Sequence, residues 1–184
     1  LVQLTGGQTY VRDCGRFLVV CGDVRRHRLV TAARGAECVQ NLETFLLAVV
    51  DASLLAQNHS LALESMGYGI CYIGGLRNEL PAVVERFEIP AGVWPLYGLC
   101  VGVPDQAPET KPRLPVDAIL HPGRYRDDGQ LERLIDAHDA EMNAYYTRRG
   151  KPDRNWSGGL ARRFARPVRE HLRGLYERLG ASFE

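Results

Sequence analysis

Two short segments of this 184-residue chain combine residue types that could grip a flat, phosphorylated ligand. The first is Gly67-Tyr68-Gly69-Ile70-Cys71-Tyr72-Ile73-Gly74-Gly75-Leu76-Arg77-Asn78, and the second is Lys111-Pro112-Arg113-Leu114-Pro115. In the first, Gly74 and Gly75 end an apolar run. Adjacent glycines leave backbone N–H groups open to a planar ring, with no Cβ in the way. The same pattern suits an ordinary strand exit that needs a positive φ. In the second, Pro112 drives Lys111 out of the α region toward extended backbone. Residues two apart on an extended chain share one face, so Lys111 and Arg113 can converge on one phosphate. Arg113 adds a planar fork suited to phosphate oxygens. Taken alone, the tripeptide reads first as two solvated surface charges.

Gln8 follows Gly6 and Gly7. Its amide both donates and accepts, so it can read the edge of a pyrimidine-type ring. Without further context it reads as a solvent-facing residue ahead of a helix. Arg149 and Arg154 lie in a basic loop from Arg149 to Asn155. From Tyr145 to the C-terminus, ten Lys and Arg stand against four Asp and Glu, in a chain of net charge +1. Such asymmetry fits recognition of a nucleotide phosphate by the loop, nucleic-acid binding by an arginine-rich helix, or a solvated helix face. The last is preferred for Arg162 to Arg178. No His, Cys, Asp or Glu set has metal-ligand spacing, and no GxSxG, Walker A or GxGxxG motif is present. No side chain stands out as a catalytic acid, base or nucleophile.

Several elements must position these residues. Phe17 to Gly22, Gly69 to Gly74 and Val93 to Val103 read as buried strands, the last tolerating Pro95 near its start. Arg25 to Arg28 reads as a polar loop. Glu37 to Met66 lacks Pro and Gly, and its apolar residues cover more than half of a helical wheel. That predicts a long central helix buried on several sides, closed by Gly67 as C-cap. Glu79 to Phe87 reads as helix. Pro104 to Pro115, with four of ten prolines, reads as an extended loop. Gln130 to Arg148 and Gly159 to Leu179 read as amphipathic helices. Strands separated by helices indicate a mixed α/β or α+β domain.

Composition narrows the class. A chain with 45% hydrophobic and 24% charged residues is ordinary for a globular domain. Its near-neutral net charge gives no global case for nucleic acid or membrane. Cys14, Cys21, Cys38, Cys71 and Cys100 are an odd, widely spaced set without a CxxC pair, which favours a reducing cytoplasm. The longest apolar stretch, near Phe45 to Ala56, is interrupted by Asp51 and is too short to span a bilayer.

The ordered set of Thr5-Gly6-Gly7-Gln8, Glu64-Ser65-Met66-Gly67 through Asn78, Pro95-Leu96-Tyr97-Gly98-Leu99-Cys100-Val101-Gly102-Val103-Pro104, and Lys111 to Pro115 resembles one family closely. Tyr145-Tyr146, Arg149-Gly150 and Trp156-Ser157 extend the match. That family is the oxygen-insensitive NADPH nitroreductases and the related NADPH-flavin oxidoreductases, which bind FMN. The resemblance runs from Thr5 to about Leu179. It implies an α+β fold with a mostly antiparallel central sheet flanked by helices, assembled as a homodimer with FMN at the subunit interface. It implies one such domain over 1–184, with a basic helical C-terminal extension from about 129. It assigns Gln8, Tyr72, Ile73, Gly74 and Gly75 to the flavin ring, and Lys111, Pro112 and Arg113 to its phosphate and ribityl chain. Arg149 and Arg154 fall to the NADPH 2′-phosphate. The expected activity is two-electron, ping-pong reduction of small acceptors such as nitroaromatics, quinones or free flavin. No protein acid or base is required for it, and neither metal, nucleic acid nor membrane is implied. A non-catalytic flavin-binding or interaction module of the same fold is the alternative. The family's N-terminal segment of histidine, arginines and serines, which supplies the rest of the flavin site, has no counterpart here. The chain therefore reads as a fragment or as a weak FMN binder.

Overall fold

The computed structural model describes residues 1–184 as two compact units. The first comprises residues 1–105 and 169–184, and the second residues 106–168.

The first unit is built on an antiparallel sheet of β1 (Arg16–Asp23), β2 (Gly69–Ile73) and β3 (Val93–Gly102) in the order β1-β3-β2. β3 is central and almost continuously buried, as expected of a strand covered on both faces. Pro95 lies in it without an N–H to give the ladder. The register accordingly skips, pairing Val20 with Tyr97 but Cys21 with Pro95, so that Leu96 is the extra residue of a bulge. Trp94, Leu76, Leu80, Val83 and Leu175 form the main core. Trp94 Nε1 donates to the Leu179 carbonyl at 3.2 Å, and the Tyr176 hydroxyl to the Pro95 carbonyl at 2.8 Å. Burial pushes the Tyr176 hydroxyl up to about 12, so it remains a donor. Phe45 packs its ring within 5.5 Å of the rings of Trp94, Tyr176 and Phe183.

Around this sheet run α1 (Tyr10–Asp13), α2 (Arg25–Ala32), α3 (Leu42–Ser65), α4 (Leu80–Arg86) and, from the C-terminal stretch, α7 (His171–Arg178). Arg25 to Arg28, expected as a loop, is the first turn of α2. The Asp23 carboxylate accepts the Arg25 N–H at 2.8 Å and caps an orphan donor there. The long helix begins later than expected. Asn41 accepts the Thr44 N–H at 2.9 Å, and Glu37 to Gln40 stay irregular. Its end is as expected: Gly67 is left-handed at φ +86°, and the N–H groups of Gly67 and Tyr68 bond the Glu64 and Leu63 carbonyls.

The extent of burial of α3 corrects the sequence expectation. Its buried residues are a single line, Ala48, Ala52, Ala56 and Ser60, spaced four apart. Small side chains let the helix lie close on the sheet: a Cβ on Gly22 would stand 3.2 Å from Ala48. Leu46, Leu47, Val50, Leu54, Leu55 and Leu61 remain exposed in the chain, Leu55 at 71%. One side of a three-stranded sheet is too narrow to cover so broad an apolar face.

The second unit holds α5 (Asp128–Arg148) and α6 (Trp156–Phe164) after the extended segment from Gln106. Asp127 caps α5 by accepting the Gln130 N–H at 2.8 Å. His138, Met142 and Tyr145 form the buried side of α5, and His138 meets the Trp156 ring edge-on at 5.8 Å. The helix expected over Gly159 to Leu179 is broken between Phe164 and His171. Pro167 disfavours helix at Arg166, and Arg169 takes φ +58°. The two halves belong to different units, so the basic run is not one helical face.

Candidate functional site

In the first unit the two N-terminal motifs pack on one another, through Thr5 on Gly75 and Gly6 on Asn78. Gly6 and Gly7 hold φ +81° and +80°, folding the chain tightly after Thr5. The Thr5 hydroxyl donates to the carbonyls of Leu1 and Val2. The Thr5 carbonyl comes so close to Gly75 that a Cβ there would stand 2.4 Å from it. Gly75 is thus glycine because of Thr5, and the same close approach sets Gln8 Oε1 3.6 Å from that Cβ position. The strand-exit alternative does not hold, since neither Gly74 nor Gly75 lies in the left-handed region. A Cβ on Gly74 would meet only the Arg77 guanidinium, at 3.5 Å.

Gln8 stands two residues before α1, and its carbonyl accepts the Val11 N–H at 3.1 Å. Its side-chain Oε1 is buried without a hydrogen-bond partner. A buried acceptor left unpaired costs about 1–3 kcal/mol, so the arrangement is one that an incoming N–H would relieve. Tyr72 and Ile73 close β2, and Gly74 opens the 3-10 turn Gly74–Asn78. The Ile73 side chain is 1% exposed in a small core with Val11 and Cys100, leaving its backbone as the usable part. The Tyr72 ring turns to α3: its hydroxyl lies 2.9 Å from Ser60 Oγ, and its ring meets Tyr97 edge-on at 5.6 Å. β2 is an edge strand. Its outer N–H and C=O groups have no strand partner, so Tyr72 and Ile73 offer a free backbone edge that runs into the turn carrying Gly75 beside Gln8.

In the second unit the cations gather on two tyrosines near the end of α5. Lys111 Nζ lies 5.8 Å from the centre of the Tyr146 ring, and Arg154 Cζ 5.0 Å from the same ring. Arg149 Cζ lies 5.4 Å from the Tyr145 ring and also donates to the Tyr145 hydroxyl. Such cation–π contacts orient a charge without neutralising it. Pro112 and Arg113 follow Lys111 in the extended strip, and Arg113 makes no ion pair. Sequence reasoning named these cations but missed Tyr145 and Tyr146 as their seat. The spacing of three or four residues between Tyr145, Tyr146 and Arg149 on a helix was the available signal.

A recess of about 350 Å³ between β1 and α3, lined by Cys21, His27, Cys38, Leu47, Asp51 and Leu55, contains none of the predicted residues. Burial and the nearby Asp23 push the Cys21 thiol up to about 11, which makes it unreactive at neutral pH. No group of three or more His, Cys, Asp or Glu is placed to hold a metal ion.

Comparison with known proteins bears on the whole arrangement. Residues 37–103 match the model of the nitroreductase family, and residues 111–184 match that of the nitroreductase family, C-terminal domain. The chain is 38% identical over 183 residues to the FMN reductase (NADPH) of Bacillus subtilis, covering 96% of this chain and 74% of that protein. It is 38% identical over 174 residues to the NADPH-flavin oxidoreductase of Vibrio harveyi, covering 94% and 70% respectively. The solved structure of NfrA1 from B. megaterium superimposes with a TM-score of 0.92 at 38% identity, over 98% of this chain and 75% of that one. With an α+β fold, an antiparallel sheet and a long helix in common with them, this chain belongs to the nitroreductase family.

Proposed function

We propose that the chain is an FMN-dependent NADPH oxidoreductase that reduces small acceptors by two electrons. The observation that carries this reading is the buried, unpartnered Gln8 Oε1 set beside Gly75 at the free edge of β2. The residues present fit a flavin. Gln8 accepts a ring N–H, and the backbone from Tyr72 through Ile73 and Gly74 to Gly75 hydrogen-bonds along the ring. Lys111 and Arg113, held extended by Pro112, take the phosphate. Arg149 and Arg154 take the 2′-phosphate that distinguishes NADPH from NADH, Arg154 as the freer of the two and Arg149 from its seat on Tyr145. When bound, FMN supplies the hydride chemistry that links NADPH to a nitroaromatic, quinone or free-flavin acceptor. The protein's share is binding, orientation and exclusion of water, and no side chain is assigned as acid or base. Names of relatives such as FMN reductase (NADPH) describe turnover, which disfavours the non-catalytic alternative.

The working unit in this reading is a homodimer joined through α3. The apolar stretch near Phe45 to Ala56, read from the sequence as too short to span a bilayer, belongs to this 24-residue helix, which is long and apolar enough to cross one, with only 22% of its most apolar window buried. A bilayer span suits it poorly. One line of α3 is already packed on the sheet, and Tyr97 and Ser60 tie it there by hydrogen bonds to Ser53 and Tyr72. A second copy buries the remaining apolar face without exposing Asp51 and His59 to lipid. All five cysteines are free, which supports a reducing cytoplasm as the site of action.

Reconstitution tests the reading. Purified protein loaded with FMN is yellow and bleaches when NADPH is added without oxygen. Protein that binds no FMN, or that binds it and stays yellow with NADPH, contradicts it. Sedimentation of the FMN-loaded protein as a stable monomer removes the dimer.

A further inference from the structure

The last two turns of α5 hold two stretches of chain that have separate tasks in the proposed function. The strip before Arg113 is tied down by the Glu109–Arg148 ion pair at 2.5 Å and by Lys111 over the Tyr146 ring. The loop after Arg149 is tied down by the Lys151 N–H on the Tyr146 carbonyl at 2.8 Å, by the Asn143 amide on the Pro152 carbonyl, and by Arg154 over the same Tyr146 ring. Tyr146 is therefore the one side chain touched by a cation from each stretch. Neither Lys111 nor Arg154 has an ion-pair partner. A carboxylate at this place would orient them but cancel the charge that a phosphate needs. An aromatic face orients them and leaves the charge.

We propose that Tyr146 is a shared positioning residue: its ring sets Lys111 for the FMN phosphate and Arg154 for the NADPH 2′-phosphate at once. The inference rests on the assignment of those two cations under the proposed function. Arg149 is outside it, because Tyr145, 2% exposed, already holds that guanidinium by ring and hydroxyl. The hydroxyl of Tyr146 makes no hydrogen bond of its own among the side-chain contacts of the chain, so the ring and not the oxygen is the working part.

Paired ligands with and without the phosphate test this on the full chain. FMN and riboflavin are titrated into flavin-free protein, and 2′,5′-ADP and 5′-AMP into FMN-loaded protein. Tyr146→Leu is expected to weaken FMN and 2′,5′-ADP about three- to tenfold each. Riboflavin and 5′-AMP should hold their affinities, and Tyr146→Phe should restore both phosphate ligands. Loss of only one phosphate ligand, equal loss of riboflavin, or failure of Tyr146→Phe to rescue overturns the proposal. If Tyr146→Leu does not fold, Tyr146→Gln, which is polar and has no π face, is read by the same outcomes. Lys111→Ala and Arg154→Ala separate the two levels. If they leave FMN and 2′,5′-ADP unchanged, the cation assignment itself has failed, whatever Tyr146 does.

Discussion

The Gln8–Gly75 corner and the Tyr145–Tyr146 platform are built in opposite ways. The corner is neutral, built from backbone, and fixed by close packing: the Thr5 carbonyl leaves no room for a Cβ at Gly75. The platform is charged and made of long side chains resting on aromatic faces. A rigid neutral edge suits a planar ring whose hydrogen-bonding groups have fixed positions. A cluster of adjustable cations suits phosphate, which accepts charge from many directions. Substitution should accordingly damage folding at Gly75, ring binding at Gln8, and phosphate binding at the platform.

The largest effect is expected at the corner. Gly75→Ala should destabilise the protein by about 3 kcal/mol, because the clash is with a backbone carbonyl rather than a movable side chain. Thermal unfolding measures this, and an unchanged midpoint would show that the Thr5 turn yields freely. At the platform, Arg113→Ala should weaken FMN tenfold or more, from a charge-assisted bond of about 1.5–3 kcal/mol, while the unfolding midpoint stays put. Equal loss of stability would erase the contrast between the two regions.

Arg149→Ala sharpens the comparison within the platform. The KM for NADPH should rise about tenfold, as loss of a charge-assisted bond of this size implies, with that for NADH little changed. If both rise together, Arg149 serves Tyr145 and the specificity belongs to Arg154. The smallest effect concerns Asp139, which accepts the Trp156 and Ser157 N–H groups at 2.9 Å and the Ser157 hydroxyl at the start of α6. Burial opposes its ionisation, but the Ser157 and Trp156 hydrogen bonds outweigh that and, with His138 nearby, hold its carboxyl below the usual range. Its contribution is present above the unfolded carboxylate value of about 3.9 and fades as pH falls through the lower folded value. Asp139→Asn should cost about 1 kcal/mol near neutral pH and flatten the stability profile below pH 4. An unaltered profile would show that the cap is redundant with Asn155.

Much of the framework was legible because its signals are local. The apolar runs of β1, β2 and β3, the Gly67 cap and the absence of Pro and Gly across α3 each act within a few residues. What failed or was missed turns either on single residues that override the periodicity or on partners distant in sequence. Arg25 to Ala32 is rich in charge, and only the Asp23 cap marks it as helix. The amphipathic pattern after Gly159 continues through Pro167, whose stiff φ breaks it at a point the periodicity does not register. Within one chain the burial of α3 is a single line, because one side of a three-stranded sheet covers no more, and the surplus apolar face is what the homodimer reading assigns to a second copy. The tight seat of Thr5 on Gly75 joins residues 70 positions apart in the sequence. Each glycine motif was visible alone, while their contact was not.

Gln8→Leu, set against Lys111→Ala, tests the division most directly, with FMN and riboflavin titrated into flavin-free protein and stability measured alongside. Removing an unpaired buried acceptor should leave the flavin-free protein as stable as before or more so, while weakening FMN and riboflavin by the same factor. Lys111→Ala should weaken FMN and spare riboflavin. A Gln8→Leu protein that binds both flavins with unchanged affinity would contradict the account at its centre.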